Sequence, residues 1–304
     1  MLKHAELLST AERLHFLERS DWRAWWLVGS NWAAILALLL LAGWYPGILT
    51  LLLVWVLLPG RQLGLSVLMH EAGHGTLFAS RHLNHWVGQW LCALPTLNDL
   101  PAYAAAHLHH HRLAGTPEDP DLSNYQAYPV ARASFRRKVL RDLTGQTGAK
   151  LLAGAVKGGL SHFSNSATSR DGLLLLKQVL VQVLLALLLM ALGIGWTWWL
   201  WFFTFMTSYM LAIRLRQIAE HAAVPDANDP DPRKNTRTVT APFWQRWLLA
   251  PHGVNYHLEH HLLPGVPCYH LPAFRARLLG NGWLDQVPVF NSYAQVFAHA
   301  VRRG

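Results

Sequence analysis

At 304 residues with 52% hydrophobic and only 14% charged side chains, against about 25% charged in an ordinary soluble domain, the chain reads as an integral membrane protein rather than a soluble one. A net charge of +9 invites nucleic acid as a partner, but the Lys and Arg residues avoid the apolar runs and collect between them, which fits a cytoplasmic membrane face and excludes nucleic acid. The two cysteines, Cys92 and Cys268, stand far apart in no CxxC spacing, so both read as reduced and structural.

Residues 1–23 carry Lys3, Arg13, Arg19 and Arg23 among Leu and Phe at helical spacing, which predicts an amphipathic helix on the membrane surface. From Trp25 to Trp44 the chain is almost uncharged, and at about 1.5 Å per residue this run matches a hydrocarbon core of about 30 Å. The turn Tyr45-Pro46-Gly47 sends a second apolar run, Ile48 to Met69, straight back. Pro59, Gly60 and Arg61 interrupt that run. Apolar character resumes from Leu63 to Met69, so one kinked helix is expected rather than a span ending at Leu58.

Residues 70–171 hold the first two histidine clusters and a polar, basic stretch. Within them, His82 to Ala106 contains Pro95 and Pro101 and no apolar piece long enough to span, so it reads as re-entrant or interfacial. The segment 112–171, with Arg132, Arg136, Arg137, Lys138, Arg141, Lys150 and Lys157, is expected as a cytoplasmic loop. A second hairpin covers 172–213, its arms about Leu173 to Leu192 and Trp196 to Ile213, joined at Gly193-Ile194-Gly195. Residues 214–304 contain no further run long enough to cross. The predicted fold is a single all-α membrane domain, with four transmembrane helices in two hairpins (25–69 and 172–213) under a histidine-rich helical cap. The positive-inside rule puts the N-terminus, central loop and cap on the cytoplasmic side of an inner membrane.

Histidines supply the chemistry. His257, His260 and His261 in NYHLEHH repeat the spacing of His107, His110 and His111 in HLHHH, and His70 and His74 in HEAGH stand at i, i+4. On a helix each set lies within an arc of about 100°, so its imidazoles aim at one point. His109 points elsewhere and is not expected to be a ligand. Together these clusters exceed what one four-coordinate metal takes, so two ions are the natural count. The full pattern of a carboxylate-bridged di-iron bundle, Glu residues together with two Glu-x-x-His pairs on facing helices, is missing, leaving a histidine-dominated site with iron as leading metal and zinc or copper open. A metal transporter or membrane haem protein is the reading from another class, and it expects its ligands near the bilayer midplane rather than at helix ends.

The pattern H-x-x-x-H, H-x-x-H-H and again H-x-x-H-H over two membrane hairpins, from about His70 to Pro267, resembles the membrane-bound fatty acid desaturases and hydroxylases. HEAGHG, HLHHHRLAGTPEDPDL and NYHLEHHLLPGVPCYHLP look like bacterial fatty acid desaturases, and the first two are also similar to carotenoid ketolases. The resemblance implies a non-haem di-iron oxidoreductase with two iron ions (Fe2+/Fe3+) and O2 as co-substrate. It makes His70, His74, His107, His110, His111, His257, His260 and His261 ligands. It adds His221 after the fourth span as a ninth, and Gln217 as holder of a metal-bound water. It implies desaturation of a lipid acyl chain, with hydroxylation or carotenoid-type ketolation as alternatives, and a separate electron donor such as a ferredoxin or reductase. Carboxylates beside the boxes, Glu71, Glu118, Asp119, Asp121, Glu220 and Glu259, are candidates to orient the imidazoles. Asn235-Thr236-Arg237-Thr238 reads as a solvated loop, with pairing to those carboxylates or to a head group as the alternative.

Overall fold

A computed structural model describes residues 8–164 and 170–302, so Lys3 and the first seven residues of the expected amphipathic segment, and 165–169 of the central stretch, lie outside the described residues. A short helix α1 (Thr10–Phe16) begins at a capping box between Ser9 and Glu12. Helix α2 (Asp21–Trp44) starts at the Ser20 cap, a few residues before the expected Trp25. It turns at Tyr45–Gly47 into α3 (Ile48–His74), one continuous helix through Pro59, as expected. Proline has no N–H, which frees the Trp55 carbonyl one turn back. Ser208 donates its hydroxyl to that carbonyl at 2.9 Å.

The stretch read as re-entrant or interfacial is helix α4 (Arg81–Val87), a π-helical turn Gly88–Ala93 and a 3-10 turn Leu94–Thr96. This irregular backbone is largely buried in protein, and Trp32 Nε1 donates to the Leu91 carbonyl at 3.0 Å. Helix α5 (Leu100–Leu113) then starts on an Asp99 cap. The basic segment expected as a loop is mostly helical, with α6 (Arg132–Leu143) and α7 (Gln146–Ser164). In α7, Lys150 and Lys157 accompany the exposed Leu151, Val156 and Leu160, which makes it an amphipathic helix.

Helix α8 (Arg170–Ala191) is the first arm of the second hairpin. The second arm is not one helix. It divides at Thr207 (φ −119°, ψ −91°) into α9 (Thr197–Met206) and α10 (Ser208–His221), so Trp196–Ile213 is a broken run. Among the described residues three stretches are long and apolar enough to cross a membrane: Thr10–Trp44, Ile48–His74 and Gly172–Ala191. Ile35, Leu39, Leu58, Leu189 and Trp201 pack both hairpins into one core, while Leu176, Leu180, Leu184 and Leu187 of α8 stay exposed, as a lipid-facing surface does.

The last third holds α11 (Phe243–Leu249), α12 (His257–Leu262), α13 (Leu271–Gly280) and α14 (Tyr293–Ala300). A two-residue parallel pairing of Val130–Ala131 with Val301–Arg302 ties the central stretch to the C-terminal end.

Candidate metal centre

Four helices deliver the histidines. Helix α3 stops directly after His74 because Gly75 takes the left-handed conformation (φ +68°) and the Thr76 N–H bonds back to the Glu71 carbonyl at 2.9 Å. That fixes His70 and His74 on the last turn. Helix α5 brings His107, His110 and His111, and α10 ends on His221. Helix α12 is only six residues long, and Asn255 anchors its entry by exchanging two bonds with Val239, at 3.0 and 3.1 Å.

Nine imidazoles converge into two adjoining groups. His70, His74, His107, His111 and His260 offer ring nitrogens all within 4.8 Å of one another, as do His110, His221 and His261. His257 joins the second group, its Nε2 2.8 Å from Nε2 of His221. The groups touch through the stacked rings of His111 and His261, 4.2 Å between centroids. His109 is exposed and belongs to neither.

Hydrogen bonding among the rings alone does not satisfy this packing. Nε2 of His107, His111, His260 and His70 form a line of contacts at 3.0, 3.0 and 3.1 Å. A neutral imidazole nitrogen either carries one proton or offers one lone pair, so neither inner nitrogen can both donate and accept. Nε2 of His74 and of His261 are buried with no hydrogen-bond partner at all. A cation at the centre of each group gives every one of these nitrogens a partner, so the donor set fits two metal ions.

Protonation follows burial. It drives His221 down to about 3 and His111 to about 2, with neighbouring imidazoles pushing the same way, and holds His107, His257, His260 and His261 well below the usual imidazole range. Neutral rings keep a lone pair free for ligation.

Outer partners decide which nitrogen points inward. His110 Nδ1 faces Asp119 at 2.8 Å, and Asp119 is held by the Tyr125 hydroxyl and by the Asp121 N–H at 2.9 Å. His70 Nδ1 lies 3.3 Å from Glu71, which accepts from Thr76 Oγ1 at 2.8 Å and Cys268 N–H at 2.9 Å. His221 Nδ1 donates to the Asn235 carbonyl at 3.1 Å. In each case Nε2 is left for the group. Of the other carboxylates, Glu220 stands 3.7 Å from His257 Nδ1 and pairs with Arg216 at 2.6 Å. Glu259 pairs with Arg275 at 2.5 Å and with Thr238, not with a histidine, and Glu118 is exposed. The segment Asn235–Thr238 is buried rather than solvated, because it closes the back of the site. Tyr125 and Arg275 were not legible as participants, since their partners lie across a turn or are distant in sequence, whereas Thr238 on Glu259 follows the alternative reading of that segment.

A cavity of about 310 Å³ borders both groups through His107, His110, His221 and His257. Leu63, Met69 and Ile213 give it apolar wall, and Asn98, Asn124 and Arg216 polar wall. Gln217, one helical turn before His221, also lines it.

A family model described as fatty acid desaturase matches residues 42–293, most of the chain. Dihydrorhizobitoxine desaturase of Bradyrhizobium elkanii is 27% identical over 77% of this chain and 68% of its own length. Beta-carotene ketolase of Paracoccus sp. (strain PC1) is 27% identical over 82% of this chain and 84% of its own. An sn-1 oleoyl-lipid 12-desaturase of Picosynechococcus is 30% identical, over 48% of this chain and 42% of that protein.

Proposed function

Because the chain belongs to the fatty acid desaturase family, we propose that it uses two irons, held by these nine histidines, to oxidise unactivated C–H bonds of a lipid acyl chain, with desaturation as the reaction. The observation that carries this reading is the convergence of all nine rings on two adjoining points beside one cavity. His70, His74, His107, His111 and His260 hold one ion; His110, His221, His257 and His261 hold the other. Gln217 lines the cavity on the side with fewer imidazoles, where it positions a water. The chemistry such a centre supplies is dioxygen-dependent hydrogen removal from a methylene, which no side-chain acid or base reaches.

The protein's own part is positional. Asp119, Glu71 and the Asn235 carbonyl fix imidazole tautomers, and burial keeps the rings neutral. The Arg216–Glu220 pair lets a charged residue line the cavity at no net charge. Removing two hydrogens with one dioxygen requires two further electrons, so a separate donor is part of the proposal. Exposed Arg132, Arg136, Arg137 and Arg141 on α6 suit a small acidic protein. The site lies on the cytoplasmic side of an inner membrane in this reading, at helix ends rather than mid-bilayer, which disfavours a transporter.

The deciding experiment is metal analysis and absorption of the purified protein, with lipid profiling of cells that express it. Iron near two per chain and a new double bond in membrane acyl chains are expected. A Soret band or iron-free protein overturns the centre; a keto or hydroxy product with iron present overturns desaturation alone.

A further inference from the structure

Three hollows that share lining residues lie in series from the outer surface of α8 to the histidines. The outer hollow, of about 430 Å³, lies between α7 and α8 and is walled by Leu152, Val156, Leu175 and Val179. A second hollow of about 380 Å³ shares Leu97, Ala155 and Leu175 with the first and runs inward. Asn98 and Tyr103 belong both to that second hollow and to the histidine-lined cavity. Tyr103 stands as the partition, its ring stacked on His107 with 5.4 Å between centroids.

We infer that the acyl chain of a membrane lipid enters sideways from the bilayer along these hollows and reaches the histidines past Tyr103. The inference rests on the reading of the nine histidines as the oxidising centre. Three observations select that occupant. First, the amides of the outer hollow are engaged elsewhere: Gln178 and Gln182 donate Nε2–H to the Leu97 and Pro95 carbonyls at 2.8 and 3.0 Å, acceptors left by the 3-10 turn and the left-handed Leu97 (φ +54°). Their methylenes remain as wall. Second, the mouth opens among exposed Val156, Val179 and Val183, continuous with the lipid-facing surface of α8. Third, space is kept open by small residues of α7, since a Cβ added at Gly154 meets nothing within 4 Å. A charged carrier or soluble head group finds no charged partner on the walls of the outer hollow, whereas a polymethylene chain loses only its contact with other lipid.

The test uses the full-length protein in nanodiscs containing phosphatidylglycerol whose acyl chain bears a diazirine and an alkyne. Photolysis and peptide mapping are expected to label α7, α8 and the peptide containing Tyr103. Gly154→Leu displaces two or more methylenes of the chain and lowers labelling at Tyr103 about tenfold. Val179→Trp closes the outer hollow from the other wall with the same result, and Ala153→Leu, one position away on the exposed face, leaves labelling intact. Tyr103 labelling that survives both plugs, labelling confined to the outer face of α8, or labelling at Tyr103 by a soluble acyl thioester but not by the bilayer lipid overturns the route. Photolabelling needs neither iron nor turnover: labelled Tyr103 without oxidised lipid keeps the route and removes the oxidase reading, and oxidised lipid with unlabelled Tyr103 does the reverse.

Discussion

His109 stands among three other histidines in sequence, His107, His110 and His111, yet its ring is exposed and lies in neither group, while the adjacent His110 is buried against Asp119. His109→Ala is expected to retain full iron, and His110→Ala to lose the ion of the second group, read by elemental analysis of purified protein; equal losses would refute the one-face geometry of α5. Asp119→Asn, which keeps shape but removes the charged acceptor, is expected to weaken iron retention about 10- to 100-fold in chelator titration. Eight of the rings were legible because histidines on one helix face recur at i, i+3 and i+4, a purely local signal, whereas His221 stands alone in sequence and was expected only from the resemblance. Glu259 shows the limit: it sits inside a box beside two of those rings, and only the fold reveals that it turns to Arg275 and Thr238. His252 was not singled out at all. It is lodged against α2, its Nε2 3.1 Å from Asn31 Oδ1, and burial, reinforced by Arg61, pushes it from the ordinary 6.5 down to about 3. The unfolded chain therefore binds this proton first as pH falls. Its stability contribution is complete above about pH 6.5 and is lost on the way down to about pH 3, at up to about 1.4 kcal/mol per pH unit. His252→Gln keeps a donor for Asn31 without titrating, so its unfolding midpoint should depend less on pH between 6 and 4 than that of the wild type (roughly, at one proton of linkage); parallel curves would exclude a buried neutral His252.

Helix α3 carries most of the architecture, and its unusual composition around Pro59 lets a neighbouring helix pack onto its backbone. A Cβ on Gly60 would stand 2.5 Å from the Trp247 carbonyl and 3.0 Å from Leu248 Cα, so α11 rests directly on the bare backbone. Arg61 completes the contact, donating to the same Trp247 carbonyl at 2.6 Å with its guanidinium 3.7 Å above the indole ring. Gly60→Ala gains about 0.5–1 kcal/mol of helix propensity and costs about 1–3 kcal/mol of overpacking against backbone that has no rotamer to yield. A lower thermal midpoint in detergent is expected, and an unchanged or higher one would show that α11 does not sit on Gly60. The continuity of α3 through Pro59 was legible from the apolar residues that follow it. The break of the fourth run at Thr207 was not, because no proline or glycine marks it. What holds it is tertiary: Trp55 Nε1 donates to Thr207 Oγ1 at 3.1 Å, and Ser208 bonds the carbonyl that Pro59 frees. One helix's missing N–H thus positions another helix's break, and α10 leaves it aimed so that His221 meets His257.

For the whole molecule, the decisive relation is that both tight turns lie together at the end away from the histidines. Gly43 of α2 is packed so closely on Ile194 that any side chain there would collide with it, which joins the Tyr45 and Gly193 turns at one pole. The histidine groups, α6 with its exposed arginines, and the first and last described residues gather at the other. Two apolar hairpins with adjacent tips and a basic opposite pole give the positive-inside rule one orientation to choose, tips outward. Composition alone predicts that orientation; the adjacency of the tips needed the packing of Gly43. Crossing by the divided α9–α10 arm follows if the tips share a side, since α8 alone would leave its return strand stranded in lipid. Substituted cysteines test it against a low background, because Cys92 and Cys268 are both buried. In intact cells a membrane-impermeant maleimide is expected to label Tyr45→Cys and Leu192→Cys, both at exposed positions, and to reach Arg136→Cys only after permeabilisation. Labelling of Leu192→Cys solely from the cytoplasmic side, with Tyr45→Cys labelled from outside, would place the two turns on opposite faces and break the two-hairpin topology, whereas the reverse of all three inverts the protein and moves the histidine pole out of reach of a cytoplasmic electron donor.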